Sequence, residues 1–155
     1  MREKWEASKK MELDILLSTL TAKDTKQAYG ALLELERLSE ESDDLYPYTE
    51  RFADMVSDRA WAVRCRSFRL FCKQARWDDD GIIDRCLDRA LVILEDEKPT
   101  AVRQALAALL DVIPYKQELR PVIRARVEAM DLSRCKDSME PLIRKDIQTL
   151  LNAMT

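Results

Sequence analysis

Arg66, Arg69, Lys73 and Arg76 stand at i, i+3, i+7 and i+10, a spacing that gathers four cations on one face of a helix. The chemistry such a stripe offers is electrostatic. Guanidinium forks and an ammonium can receive an acidic or phosphorylated segment of another protein. Arg59 extends the stripe by two turns. Trp61 and Trp77 flank the same segment, and beside arginines they would form an aromatic and cationic groove. The plainer account is a solvated face neutralised by Asp78–Asp80, Glu50 or Asp54, with the two tryptophans wedged between layers. The corresponding positions elsewhere are mixed: Gln27, Gly30, Glu34 and Arg37 in one segment, and Gln104, Ala107, Asp111 and Pro114 in another. The stripe is therefore peculiar to its own segment.

Other chemistries find little footing. There is no histidine, so neither a Ser–His nor a Cys–His pair can form. The only glycines are Gly30 and Gly81, too few for a phosphate-cradling loop. Cys65, Cys72, Cys86 and Cys135 make no Cys-x-x-Cys pair and read as reduced, buried thiols. Cys65 and Cys72 share a helical face, and nearby arginines would lower a thiol pKa if one were exposed. Asp78-Asp79-Asp80-Gly81 invites a calcium reading that fails on spacing. With Gly81 as sixth loop residue, Arg76 and Leu87 fall where the first and twelfth ligands belong. Connector and helix-cap duty is expected there. No catalytic residue, metal or cofactor is expected.

A net charge of −3 argues against general nucleic-acid binding, which needs a cationic face. No apolar run approaches the roughly 18 residues that span a bilayer, and the charged N-terminal segment lacks a signal-peptide core. A cytoplasmic protein without membrane contact is expected.

The elements that must position the stripe are helices. Apolar periodicity predicts eight, over about 3–20, 25–38, 47–56, 59–76, 82–95, 100–112, 119–130 and 137–154, with no strand. Asp24 or Thr21 is positioned to cap the second, Asp58 the fourth and Asp137 the eighth, the last with Glu140 in a capping-box spacing. A hydrophobic triplet recurs: Tyr29, Leu32, Leu33; Phe68, Phe71, Cys72; Leu106, Leu109, Leu110; Ile147, Leu150, Leu151. A period near forty residues means stacked helical hairpins, here about 3–42, 45–77, 81–113 and 118–154, in a single domain over 1–155. Trp5 is expected to fold over the open end of the first hairpin.

On these residues the chain resembles the HEAT/armadillo-like helical repeats. A turn aspartate precedes Val-Arg and then helically spaced apolar residues: Asp96, Val102-Arg103, Ala105-Leu106, Leu109-Leu110. Weaker copies are Asp58, Val63-Arg64, Leu70-Phe71 and Asp137, Ile143-Arg144, Ile147, Leu150-Leu151. The first hairpin has Asp24 and Lys26 but no Val-Arg pair. The resemblance implies an all-α, right-handed α-α superhelix of about four hairpins. It also implies a non-catalytic protein–protein interaction or scaffold module, a monomer or weak homodimer, that binds along its second helices. The competing implication is a HEAT-like nucleic-acid-binding or DNA-repair-related domain, a class in which basic residues run along several repeats.

Overall fold

The computed structural model describes residues 2–155. Among them are eight α-helices and no strand: α1 (Arg2–Thr19), α2 (Thr25–Glu41), α3 (Thr49–Met55), α4 (Trp61–Lys73), α5 (Ile82–Ala90), α6 (Pro99–Ala108), α7 (Arg120–Glu128) and α8 (Glu140–Ala153). Several helices tighten into 3-10 turns at their ends, α4 through Gln74–Trp77, α5 through Leu91–Glu95 and α6 through Leu109–Asp111. These continuations account for the longer helices expected from periodicity alone.

The helices with even numbers lie side by side in chain order. α2 packs on α4, α4 on α6 and α6 on α8, while α3 packs on both α4 and α5. α4 is thus enclosed on several sides, and its burial follows. Val63, Cys65, Ser67, Phe68, Leu70, Phe71 and Cys72 are all buried. The triplet Phe68, Phe71 and Cys72 and the motif residues Val63, Leu70 and Phe71 therefore all lie inside.

The triplet register does not hold in α2. Tyr29 and Leu33 are 49% and 47% exposed, and the buried set is Ala28, Ala31, Leu32 and Leu35. Tyr29 and Leu33 stand about 100° further round, on the face that carries Glu36 and Glu40. Leu110 is likewise exposed, and Ile147 and Leu151 are only half-buried, packed against the core from α8. Trp5 does not close the first hairpin; it is mostly exposed, with the Lys9 ammonium 5.0 Å from its ring centre.

Capping follows the expectations in part. Asp24 caps α2 by accepting from the Gln27 N–H at 3.0 Å. Asp58 accepts instead from Ala60 N, inside the turn, and α4 starts without a side-chain cap. Asp137 makes no cap, since α8 begins only at Glu140. Asp78 carries the most. Its two oxygens accept from Ile82 N and Ile83 N, both at 2.9 Å, so it caps α5 from four residues upstream. Gly81 makes this possible with φ of 77°, a left-handed conformation that a Cβ would strain.

A second partner set converges on Asp78. The Tyr46 hydroxyl donates to it at 2.5 Å and the Lys116 ammonium approaches at 3.0 Å. Lys116 also reaches Asp84 at 2.8 Å and the Asp78 carbonyl at 3.0 Å. This buried cluster joins the turn before α3, the connector between α4 and α5, and the turn after α6. Burial opposes the charge on Asp78, but the Tyr46 hydroxyl, the two backbone N–H groups and Lys116 outweigh it and hold the carboxyl below its ordinary pKa. The sequence pattern pointed to connector duty for this aspartate but not to its partners.

Candidate functional site

Arg66, Arg69 and Lys73 lie on α4 and Arg76 in the 3-10 turn that follows it, and the structure shows what surrounds each. Arg66 is buried, and its guanidinium donates to the Leu20 carbonyl at 2.9 Å, at the C-terminal end of α1. A cation there satisfies an orphan carbonyl and the negative end of the helix dipole. Arg69 makes a bidentate pair with Glu36 at 2.7 and 3.1 Å and reaches Gln104 at 3.3 Å. Lys73 bridges Glu40 at 2.8 Å and Asp111 at 3.3 Å. Burial alone would lower the lysine pKa, yet the two carboxylates leave it raised. Arg76 stands apart from these pairs; its guanidinium carbon lies 5.4 Å from the Tyr115 ring centre.

The neutralising carboxylates come from α2 and the end of α6. They are not Asp78–Asp80, Glu50 or Asp54. Asp54 pairs with Arg89 on α5, and Glu50 pairs with Arg85. The same pattern continues across the molecule. Arg64 forks onto Asp96 at 2.7 and 3.0 Å, Arg103 meets Asp146 at 2.7 Å, and Arg126 meets Asp88 at 2.9 Å. Opposite charges 32 to 43 residues apart in the chain thus face each other between neighbouring helices and turns. Glu36, Glu40, Asp111 and Asp146 were not singled out from sequence. The available signal was their offset from a complementary charge by about one repeat.

Between α2, α4 and α6 these pairs frame an open groove of about 390 Å³. Arg69 and Lys73 of α4 lie between Glu36 on the α2 side and Gln104, Ala107 and Asp111 on the α6 side. Tyr29 and Leu33 are exposed on α2, on the helix face that also carries Glu36, and Leu110 is exposed in the 3-10 turn that follows α6. Trp61 and Trp77 do not share this groove. They sit at opposite ends of the α4 segment, about 24 Å apart at the helical rise. Trp61 is partly exposed, whereas the Trp77 indole donates to the Ser39 carbonyl at 2.6 Å, a packing role between α4 and α2.

Comparison of the chain with protein-family models, curated proteins and solved structures returns no match.

The thiols are placed for packing. Cys65, Cys72 and Cys86 are buried and Cys135 is half-buried, all as free thiols. Burial pushes the Cys65 pKa up to about 11 and the Cys72 pKa well above the ordinary thiol range, despite the arginines near Cys65. No group of three or more Cys, Asp or Glu side chains among the described residues is arranged to hold a metal ion. With a thiol-reactive chromophore at neutral pH, one thiol of the four, Cys135, is expected to react promptly and the other three only after denaturation. Prompt release of two or more equivalents from folded protein would contradict this placement.

Proposed function

We propose that the four hairpins form a right-handed, HEAT/armadillo-like superhelix that serves as a non-catalytic interaction or scaffold module. Its occupant is a segment of another protein, acidic or phosphorylated, lying along the second-helix face. The groove over Arg69, Lys73 and Ala107 carries this reading, because it opens two cations of α4 to a space between α2 and α6, with Leu33 exposed one turn before Glu36 on α2. The row of even-numbered helices and the ion pairs offset by about one repeat support the repeat architecture. Since Lys73 already holds two carboxylates, an incoming anion binds by exchange. Glu40, the more exposed of the two, is the one it displaces.

Reversing Arg69 or Lys73 would also break contacts to α2 and α6, so the sharper test blocks the groove. Ala107 is exposed, and Ala107→Trp fills the space without entering the core. Capture of the native partner from an extract of the source cells is expected to fall about tenfold or more, with the thermal midpoint unchanged. Full retention of the partner would remove the groove from the reading. A gel shift with duplex and single-stranded DNA at physiological salt is expected to be negative. Retention that depends on Arg69 and Lys73 would install the nucleic-acid-binding alternative instead.

A further inference from the structure

A second concavity lies away from the second-helix face, at the turn end of the last two hairpins. It has a volume of about 350 Å³. One wall is the turn between α5 and α6, Glu95–Pro99. The other is the long connection between α7 and α8, over 129–139, which holds no helix of its own. At eleven residues it is longer than the roughly 2–8 usual between packed helices. This one does not simply loop into solvent. Its Met130, Leu132 and Cys135 are half-buried and lean on the core, leaving Leu94 and Val102 as the floor of the space between the walls.

The rim is acidic. Glu95, Glu97 and Asp131 are exposed there, and none of the three makes an ion pair within the described chain. Asp96 is already consumed by Arg64 and by the Lys98 N–H. Asp131 accepts from the Ser133 N–H at 2.9 Å, and Arg134 is the one cation lining the space, so the carboxylates outnumber it. An apolar floor under an anionic rim is complementary to a ligand that carries an aliphatic side chain between cationic ones.

The geometry points to this cavity as a docking site for a basic amphipathic peptide segment, with a leucine-sized side chain on Leu94 and Val102 and flanking Lys or Arg at Glu95, Glu97 and Asp131. The site is distinct from the second-helix groove, and its charge preference is the opposite one.

The test uses the full chain, isotope-labelled, titrated with the capped peptide Arg-Leu-Leu-Arg and with its counterpart Glu-Leu-Leu-Glu. The basic peptide is expected to shift the amide signals of Leu94, Val102, Leu132 and Cys135 with half-saturation below about 1 mM, and the acidic one to leave them in place. The exposed triple variant Glu95→Lys, Glu97→Lys, Asp131→Lys is expected to keep its fold, lose affinity for the basic peptide about tenfold or more, and gain it for the acidic one. Three results would overturn the proposal: no shifts with the basic peptide, shifts confined to the second-helix groove, or equal binding by the charge-reversed variant. A Leu132→Ala variant separates the apolar contribution. It is expected to weaken the basic peptide without reversing the charge preference, and unchanged affinity would count against an apolar contact between the peptide and the 129–139 wall.

Discussion

Replacing Lys116 with methionine is expected to destabilise the fold by about 3–5 kcal/mol, the range for breaking a buried ion pair from one side. The Lys116 side chain is 9% exposed and that of Asp78 is fully buried. Methionine preserves most of the volume of the stem but leaves the carboxylate with only Tyr46 and two backbone N–H groups. A loss of that size is a large share of the 5–15 kcal/mol typical of a whole domain. Urea denaturation measures it as a lower midpoint at unchanged slope. Asp78→Asn with Lys116→Met should cost less than the sum of the single changes, because each alone strands a charge or a cap the other satisfies. A single-variant loss below about 1 kcal/mol would show that the cluster is not what ties the three connections together.

The same cluster sets a pH dependence. Asp78 has a folded-state pKa below its unfolded value, so it contributes stability that is present above about pH 4 and lost as the pH falls through the folded value. The acid limb of the stability curve should therefore be shallower in Lys116→Met, where one of the groups holding the charged form is gone. Tyr46 has the opposite sense. Its pKa is raised by burial and by the two aspartates, so its contribution holds below about pH 10 and fades as the pH rises further.

How far the sequence led depended on the reach of each signal. Helix number and order came from apolar periodicity, which acts over one or two turns. They survive because every helix buries apolar residues, α4 on several of its sides. The repeat alignment was less secure. Tyr29 and Leu33 are large and apolar, and only the position of α4 decides that α2 turns Ala28 and Ala31 inward instead. Small residues at close helix–helix approach carry little weight in a hydrophobicity pattern. The cations at 66, 69, 73 and 76 were visible at once, but their partners lie 33 to 46 residues away and belong to three different helix ends. Spacing along one helix cannot show that Arg66 ends inside, on the Leu20 carbonyl, while Arg69 and Lys73 stay at the rim of a groove. Lys116 carried no motif at all. Its role appears only when the turn after α6 meets the connector that follows α4.

The repeat alignment makes Phe68 and Tyr29 equivalent, and the folded chain separates them. Phe68→Ala is expected to cost about 3–5 kcal/mol, the loss typical of a large aromatic removed from a core that cannot collapse around the hole. Its ring is fully buried and sits 6.2 Å, centre to centre, from that of Phe71, also fully buried, so the change also loses a tilted ring pair. For a domain of this size that is a fall in thermal midpoint of about 6–20 °C. Tyr29→Ala, at the same place in the repeat, should stay within about 0.5 kcal/mol because half of the side chain already faces water. The contrast tests more than either number. A repeat protein in which each hairpin buried its triplet alike would lose comparable stability at both positions. In this chain the enclosed α4 bears the packing of the helices on either side of it, while α2 exposes Tyr29 and Leu33 on the face that carries Glu36. Equal losses at Phe68 and Tyr29 in differential scanning calorimetry would return Tyr29 to the core and take the apolar edge away from the proposed docking face.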